Sequence, residues 1–578
     1  MRMNKLYTPW GEALDRDHPL PEYPRPQMKR DSYVNLNGPW HYAVTKTSLK
    51  PMNWQGEIIV PFSPESLLSG VEKQVGPDDF LWYERSVTLP DGFNHGRVLL
   101  HFGAVDQAVD ILWNDVPIAH HDGGYLPFTV DITQYLRDGE NMLLLRVTDC
   151  LVHTPHAYGK QRYKRGGIWY TATSGIWQTV WLESVPENYI ESIELTPDFD
   201  NKQLCWKVHA TAPQKVNAAI RMDGEVIARS YSDGEGVCRI LPEYFRAWTP
   251  EDPYLYTVEF NAGEDHVESY FAMRKFGVVE HKGHNVLALN NEPYFQNGLL
   301  DQGYWSDGLY TAPSDEAMIH DIETMKRLGF NMLRKHIKIE PLRWYYHCDR
   351  LGMIVWQDMV NGGGRYDPLV VSAPLVTGKH LPDNLYSLFG RADERGRKQF
   401  LSDLEETVRL LYNCPCIALW TPFNEGWGQF DAMSVADRLR ALDPTRLIDH
   451  ASGWHDQGGG DLKSYHVYFK PLKLHGDGRR VLALTEFGGY SVAVPGHVWN
   501  KKFGYRMCAS VTDWQKDYVN LYEQQVLPLI ESEGLSATVY TQVSDVEDEL
   551  NGLLTFDRRV CKAEAKVLRA LNEKIKFM

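Results

Sequence analysis

The periodicity of the sequence changes at about residue 277, and this change restricts the possible folds more than any other feature. Before it, short runs of β-branched and aromatic residues recur between turn signals, for example at 97–103, 108–113 and 141–147. After it, strand-like apolar runs alternate with longer stretches of helical period, as in parallel βα units. A chain of 578 residues is also too long for a single hydrophobic core. We therefore predict several domains, all-β first and α/β last.

The two β-rich parts differ in size, and we predict a different architecture for each. Strands at near-even spacing over residues 1–183 indicate a jelly roll. Residues 184–276 form a smaller unit, whose proline-rich stretch at 249–253 and alternating pattern at 255–260 fit an immunoglobulin-like β-sandwich. The domain boundaries are thus predicted near residues 183 and 276.

Residues 277–578 contain eight predicted strands that alternate with helices. In the first unit, Ser314 is placed to cap a helix and Gly329 to end it. A last amphipathic helix is predicted over residues 562–571. The strands are predicted near 293–297, 330–335, 353–358, 417–424, 446–450, 464–468, 481–486 and 537–542. Eight such alternations indicate a (β/α)8 TIM barrel.

Charge and composition narrow the choice of partners. The chain carries 76 acidic and 60 basic residues, a formal charge of −16, and no dense block of lysine and arginine, so we expect no nucleic-acid partner. No apolar run reaches membrane-spanning length, so we expect no membrane partner. The first ten residues lack the apolar segment of a secretion signal, and eight scattered cysteines resemble reduced thiols, which together predict a cytoplasmic protein.

Polar residues stand at the predicted strand ends, where the working residues of a parallel barrel lie. Taken singly, each has a structural explanation, because a strand becomes polar where it leaves the core. Taken together, they are expected to point into the mouth of one barrel, and as a set they indicate a functional site. They are Asn297, Arg334, His336, Asp358, Asn424, Glu425, His450, His466, Tyr468, Glu486 and Gln542.

Two of these residues, Glu425 and Glu486, are carboxylates that follow the fourth and the seventh strand. In a closed barrel these strands face each other across the mouth, so the two side chains can approach. A carboxylate pair about 5–5.5 Å apart supports double displacement at an anomeric carbon. The neighbouring Asn424 has an amide that can donate to a sugar 2-hydroxyl. The alternative is that both glutamates are surface residues that cap helices.

Three other residues have two interpretations each. Asp301 follows the first strand and is suited to hold sugar hydroxyls or to anchor a loop. Asp358 is either a hydroxyl ligand or the charge partner of Arg334, and we favour the charge partner. Trp454 is either a stacking platform for the leaving group or part of the core. Eighteen tryptophans and 31 tyrosines supply rings of the kind that suit the flat faces of sugars.

Four stretches resemble the family-2 glycoside hydrolases, which include β-galactosidases, β-glucuronidases and β-mannosidases. Residues 170–183 look like the closing strand of the family's N-terminal jelly roll, and 331–336 with 344–349 are similar to its second-strand segment. Residues 413–425 match its acid/base signature, which ends in Asn-Glu, and 485–488 match its nucleophile signature. The likeness spans essentially the whole chain, in the family's order of jelly roll, immunoglobulin-like module and barrel.

The resemblance implies retaining exo-hydrolysis of a terminal β-glycoside, with Glu425 as acid/base and Glu486 as nucleophile. It implies a carbohydrate substrate and no cofactor, and we identify no metal ligands. Tyr468 and Arg334 are expected to donate to Glu486. Large barrels with β modules often self-associate, which leaves a homo-oligomer open. The residues expected to bind substrate are Asn424, Arg334, His336, Tyr468, His466, Asp301, Asp358, Trp454 and Gln542.

The sequence departs from the family at two places. His336 sits one residue earlier than the family's second-strand histidine, so its role is open. The β-glucuronidases hold the substrate carboxylate with a lysine-bearing element before a Gly-x-x-Thr-x-Asp-Arg string, which is present here at 552–558. Glu549 precedes that string and should repel a uronate. We therefore predict a neutral, galactoside-like substrate, with a glucuronide as the alternative if a clamp lies elsewhere.

Two further functions compete with a glycosidase. A carbohydrate-binding protein without activity would tolerate the loss of either glutamate, and this chain has both. A metal-dependent hydrolase needs clustered ligands, for which His336, His450 and His466 are available, but no ligand-spacing motif joins them. The sugar, its linkage and the oligomeric state stay open.

Overall fold

The computed structural model describes residues 5–151, 154–371, 374, 377–500 and 502–577. After a short helix at Pro9–Glu12, the chain forms two antiparallel sheets around one core, the predicted jelly roll. The first sheet contains, in spatial order, Gly56–Val60, Gly38–Thr45, Phe80–Thr88, Glu140–Thr148, Ala108–Trp113 and Val116–Asp122. The second contains Val34–Asn35, Val180–Val185, Arg97–Phe102 and Phe128–Asp131.

A second pair of antiparallel sheets follows and has its own apolar core, which includes Trp206 and Phe260. The smaller sheet contains Ile190–Asp198, Gln203–Ala210 and Glu235–Arg239. The larger sheet contains Glu225–Ser232, Val216–Met222, Tyr256–Ala262 and Asp265–Phe271. This is the predicted β-sandwich. The boundaries at residues 183 and 276 remain predictions.

The third part is a parallel eight-stranded barrel. Its strands, β1 to β8, are Gln296–Asp301, Met332–Lys335, Ile354–Asp358, Ile417–Thr421, Leu447–Ile448, Leu462–Val467, Val481–Phe487 and Ala537–Tyr540. They pair in the order β5-β4-β3-β2-β1-β8-β7-β6. The predicted barrel is therefore confirmed.

Helices surround the barrel as the sequence predicts. Ser314 Oγ accepts the Ala317 amide at 3.2 Å, and Gly329 takes a φ of +93°, so the predicted start and end of the first helix are correct. The last helix begins three residues later than predicted. The main helices are Asp315–Arg327, Leu342–Leu351, Glu394–Leu411, Ala432–Leu442, Val511–Leu521, Leu527–Glu533 and Ala565–Asn572.

The predicted position of the first barrel strand is wrong. A turn at Asn290 and Asn291 pairs Glu292–Pro293 back onto the strand His284–Leu289, so the barrel strand starts only at Gln296. Asn297 then lies near the start of β1 rather than at its end. Its amide donates to Asn572 at 3.0 Å, at the end of the barrel away from the mouth.

The jelly roll packs over the mouth of the barrel through a shared cluster of aromatic side chains. From the jelly roll it contains Tyr125, Tyr170 and Trp177, and from the barrel loops Tyr310 and Trp427. Parts of the jelly roll therefore lie next to the ends of the barrel strands. No helix within the described residues is both long and apolar enough to cross a membrane.

Candidate active site

The loop after β4 holds Glu425 in an unusual backbone conformation. Glu425 has a φ of +50°, in the left-handed region that non-glycine residues seldom adopt and that is often found at functional sites. Its amide donates to the carbonyl of Ser452 at 3.0 Å, and Asn424 forms a bridge with the same residue. The loop after β5 thus fixes the direction of the Glu425 side chain.

Glu486 lies in β7, close to its end, where the pairing with β8 shifts register between Leu484 and Phe487. A second shift separates Tyr465 from His466 in the pairing of β6 with β7. Such bulges redirect side chains and are frequent beside active sites. They turn Glu486 and His466 towards the mouth of the barrel.

The structure brings Glu425 and Glu486 together. His466 Nδ1 lies 2.8 Å from Oε1 of Glu425 and 3.7 Å from Oε2 of Glu486. A carboxylate oxygen of each glutamate lies within 4.8 Å of the other and of the histidine. Ser452 Oγ, 3.1 Å from His466 Nε2, holds the ring from its other side. The two carboxylates therefore share one buried pocket.

Two donors stabilise the ionised form of Glu486. Arg334 Nη1 donates to its Oε1 at 3.2 Å, and the Tyr468 hydroxyl donates to its Oε2 at 2.5 Å. Burial opposes ionisation, but His466, His336, Arg334 and the Tyr468 hydroxyl together outweigh it and lower the pKa of Glu486. Arg334 is the permanent charge among them. Glu486 is thus ionised at neutral pH.

The pKa of Glu425 moves in the opposite direction. Burial raises it first, and the negative charge of Glu486 raises it further, while His466 opposes both effects. Glu425 is therefore the member of the pair that retains a proton to higher pH. Two carboxyl groups with pKa values pushed apart in one pocket are the arrangement expected of an acid and a nucleophile.

Asn424 and Asp358 are joined through Arg334. The guanidinium donates to Asp358 Oδ1 at 2.9 Å and Oδ2 at 3.1 Å, and to Asn424 Oδ1 at 2.8 Å. Asp358 thus occupies the position of a charge partner. Asn424 Nδ2 is buried and has no hydrogen-bond partner among the described residues. This orphaned donor is free for a ligand beside Glu425.

His336 lies beside the pair although its sequence position is irregular. Its Nδ1 is 2.9 Å from Asp358 Oδ2 and 4.0 Å from Glu486 Oε1. Burial lowers the pKa of His336 well below its usual value, so the ring is neutral near neutral pH. Trp427 meets it edge-on, with ring centroids 6.4 Å apart.

Three of the expected substrate-binding residues make internal contacts instead of contacts with the pair. Asp301 accepts a hydrogen bond from Lys335 Nζ at 2.8 Å, which places it in a buried ion pair. Gln542 donates to Asn551 at 2.8 Å and lies deep in the barrel. Trp454 is buried 6.2 Å from the His466 ring and lines a cavity of about 430 Å³ beside the pair.

His450, the remaining strand-end histidine, is directed away from the pair. Its Nε2 accepts the Gln457 amide at 3.1 Å and lies 3.3 Å from Asp456. The described residues offer one group of three potential metal ligands, namely Glu425, His466 and Glu486. Arg334 already binds Glu486, and its positive charge disfavours a second cation there.

Sequence reasoning missed three residues at this site. Tyr505 stacks on Tyr468 with ring centroids 4.2 Å apart, and Trp427 closes the pocket beside His336. Lys160 comes from the jelly roll, with Nζ 5.5 Å from the centroid of Trp427. Trp427 follows Glu425 by two positions, so its closeness to the Asn-Glu motif could have identified it as a site residue. Lys160 and Tyr505 carry no local signal, because loops distant from the strand ends bring them in.

Comparison with known proteins gives matches along most of the chain. Residues 72–186 match the family model described as the sugar binding domain of glycosyl hydrolases family 2, and residues 284–577 match the model of its TIM barrel domain. The chain is 23% identical over 364 residues to a putative β-glucuronidase of Formosa agariphila, covering 60% of this chain and 39% of that protein. It is 22% identical over 504 residues to a β-galactosidase of Halalkalibacterium halodurans, covering 80% and 43%.

Among solved structures, a Ruminococcus gnavus β-glucuronidase in complex with uronic isofagomine aligns with a TM-score of 0.75 and 16% identity. The alignment covers 96% of this chain and 99% of that one, which shows a common fold. The chain spans less than half the length of the two curated relatives above. The barrel match alone extends over half of the sequence, and the chain therefore belongs to the glycosyl hydrolases family 2.

Proposed function

We propose that this protein is a retaining exo-glycosidase that removes a terminal β-linked sugar by double displacement. The observation that carries the proposal is the pair Glu425 and Glu486, whose carboxylate oxygens approach within 4.8 Å. Retaining glycosidases keep their two carboxyl groups about 5–5.5 Å apart, whereas inverting enzymes leave about 6.5–9.5 Å for a water molecule. The short separation supports retention of configuration.

In the first half-reaction, Glu486 attacks the anomeric carbon and forms a glycosyl ester. The bond from that carbon to the leaving oxygen breaks, and Glu425 gives its proton to this oxygen. The proposal is supported by the ionised state of Glu486, which Arg334 and Tyr468 stabilise, and by the raised pKa of Glu425.

In the second half-reaction, Glu425 acts as a base. Because Glu486 is now an ester, its negative charge is gone, and one of the causes that raised the pKa of Glu425 is removed. Glu425 takes a proton from water, whose oxygen attacks the anomeric carbon while the bond to Glu486 breaks. The sugar leaves with its original configuration.

Asn424 is proposed to bind the sugar 2-hydroxyl. Its Nδ2 is a buried donor without a partner among the described residues, and it lies next to Glu425 in sequence. Because Arg334 holds the amide oxygen, the amide nitrogen is the atom that can turn to the ligand. A hydrogen bond to the 2-hydroxyl strengthens in the transition state of these reactions.

A neutral sugar, as in β-galactosides, is the first candidate substrate. Glu549, buried near the pair, would repel a uronate carboxylate. A β-glucuronide is the second candidate, since the relatives described above include β-glucuronidases and β-galactosidases and Lys160 places a basic group in the same region. The exo mode is supported by the jelly roll, which packs over the mouth of the barrel through the aromatic cluster that includes Trp427.

The test is a panel of 4-nitrophenyl β-glycosides, both neutral and glucuronide, assayed with the native protein and with Glu486→Gln. We expect turnover of at least one substrate by the native protein and loss of turnover of all of them in the variant. Glu187→Gln, which changes an exposed carboxylate just after the strand Val180–Val185, is the matched control. Near-normal activity of Glu486→Gln would refute the role of Glu486, and binding of sugars without turnover would favour a carbohydrate-binding protein.

A further inference from the structure

Lys160 reaches the mouth of the barrel from the jelly roll. The amides of Tyr158 and Gly159 both donate to the carbonyl of Asn361, in the loop after β3, at 3.0 and 3.1 Å. The carbonyl of Lys160 itself accepts the Tyr170 amide at 3.1 Å. Docking of the two units therefore fixes the backbone from which this side chain extends.

The Lys160 side chain is largely buried, and its ammonium group has no bonded partner among the described residues. The residue is 6% exposed, and its Nζ lies 5.5 Å from the ring centroid of Trp427 and 5.6 Å from that of Tyr170. Within the described ranges, no hydrogen bond reaches this Nζ and no carboxylate oxygen lies within 4.0 Å. An ammonium group has three donors, and none of those on Lys160 is used within the protein as described. Lys160 is thus a donor available to a ligand.

Glu549 is the acceptor that faces the same region. Its Oε2 accepts the Tyr170 hydroxyl at 2.5 Å, and its Oε1 accepts Asn551 Nδ2 at 2.9 Å. Each carboxylate oxygen can accept a further hydrogen bond. Burial raises the pKa of Glu549, and the charge of Lys160 opposes that shift. The two residues are neighbours, since Lys160 Nζ lies 5.6 Å from the ring centroid of Tyr170, whose hydroxyl donates to Glu549.

One basic and one acidic residue near the site lie outside the ion pairs of Arg334. Arg334 is paired with Asp358 and Glu486. Lys160 and Glu549 are instead connected through Tyr170, whose ring centroid lies 5.6 Å from Lys160 Nζ and whose hydroxyl donates to Glu549. A balanced pair suits neutral hydroxyl groups, since the ammonium can donate to one oxygen and the carboxylate can accept from the next. A uronate would instead place its charge next to that of Glu549.

The barrel topology locates this pair relative to the sugar. Glu549 follows β8 and Asn424 follows β4, and these strands lie opposite each other in an eight-stranded ring. If Asn424 binds the 2-hydroxyl of the sugar, the opposite wall of the pocket faces the other end of the sugar ring. That end carries the C4 and C6 substituents.

We propose that Lys160 and Glu549 together bind hydroxyl groups at the C4–C6 end of a neutral sugar and so determine the specificity of the pocket. The inference rests on the proposed function and adds to it the substrate class and the residues that select it. A hydrogen bond between a sugar hydroxyl and a charged side chain should raise kcat/KM by about 10- to 100-fold over that of the analogue without the hydroxyl.

The first test removes the proposed partners on both sides of the contact. The native protein, Lys160→Met, Lys160→Arg and the exposed control Lys164→Met are assayed on the best neutral nitrophenyl hexoside and on its 4-deoxy and 6-deoxy analogues. Loss of one of these hydroxyls should lower kcat/KM by about 10- to 100-fold in the native protein and the control, but by less than about 3-fold in Lys160→Met. Lys160→Arg, which keeps the charge, should retain most of the discrimination.

The second test changes the charge balance. Glu549→Gln leaves Lys160 without its counter-charge, so the ratio of kcat/KM for the β-glucuronide to that for the neutral hexoside should rise by at least about 10-fold. Adding Lys160→Met to this variant should remove the gain. Thermal unfolding of every variant identifies those that do not fold.

Two results would overturn the inference while the proposed function stands. One is an equal penalty for the deoxy analogues in the native protein and in Lys160→Met. The other is a preference of the native protein for the glucuronide that disappears in Lys160→Met. This result would mean that Lys160 binds the carboxylate of a uronate. If the native protein cleaves no glycoside at all, the proposed function fails and the inference fails with it.

Discussion

A carboxylate oxygen of Glu425 lies within 4.8 Å of one of Glu486, although the two residues are 61 positions apart, in the loop after β4 and in β7. Burial and the charge of Glu486 raise the pKa of Glu425, while Arg334 and Tyr468 stabilise the ionised form of Glu486. The two carboxyl groups therefore lie close together with pKa values shifted in opposite directions, as the proposed double displacement requires.

Removal of the acid should separate the two half-reactions. Glu425→Ala is expected to keep the first step for substrates with good leaving groups, such as dinitrophenyl glycosides, because these need no proton. Loss of general acid–base catalysis should lower turnover of poor leaving groups by about 10²–10⁴-fold. Added azide should restore turnover of the activated substrate and give a β-glycosyl azide, measured by product analysis. Failure of azide to change the rate or the product would contradict the role of Glu425.

The pH profile of kcat/KM should be bell-shaped. Activity should rise as Glu486 ionises and fall as pH increases through the pKa of Glu425, which lies above the usual value of 4.5. On a dinitrophenyl substrate, Glu425→Gln should lose the alkaline limb and keep the acid limb. An alkaline limb that persists unchanged in this variant would assign it to another group.

Chelation should leave activity unchanged. The three potential ligands Glu425, His466 and Glu486 are the groups that the proposed mechanism uses without a metal, and Arg334 already binds one of them. Dialysis against EDTA, followed by assay with and without added divalent cations, measures the effect. A loss of activity that one of these cations restores would support a metal-dependent hydrolase instead.

A buried ion pair should connect stability to pH. Glu183, fully buried in the jelly roll, binds Arg25 and lies 3.4 Å from Arg30, which itself binds Asp265 in the β-sandwich. Glu183→Gln leaves the partly buried Arg25 and the buried Arg30 without this charge partner, which should cost about 3–5 kcal/mol. Thermal unfolding at pH 7 should show a lower Tm, and the exposed Glu187→Gln should not.

The sign of the pH effect follows from the pKa of Glu183. Although burial raises it, Arg25, His101 and Arg30 lower it well below the usual 4.5. The stabilisation is complete above the unfolded pKa and is lost as pH falls through the folded value. The difference in Tm between the native protein and Glu183→Gln should therefore shrink in acid. A difference that does not change with pH would contradict an ionic contribution.

The sequence predicts the barrel and the two glutamates because both depend on local signals. Strand periodicity places the strand ends, and short motifs place Glu425 and Glu486 just after or within β4 and β7. The first strand was predicted too early because residues 293–297 are as apolar as the hairpin before them. Pro293 pairs within that hairpin and not in the barrel. Lys160 was not predictable, since its place depends on how the jelly roll docks on Asn361.

The configuration of the first-formed sugar tests the central claim most directly. The native protein is mixed with its best β-glycoside, and the anomeric proton signals are followed by NMR before the product mutarotates. Double displacement by Glu486 and Glu425 predicts that the β-anomer appears first and the α-anomer only later. An α-anomer as the initial product would mean a single displacement by water and would contradict the account.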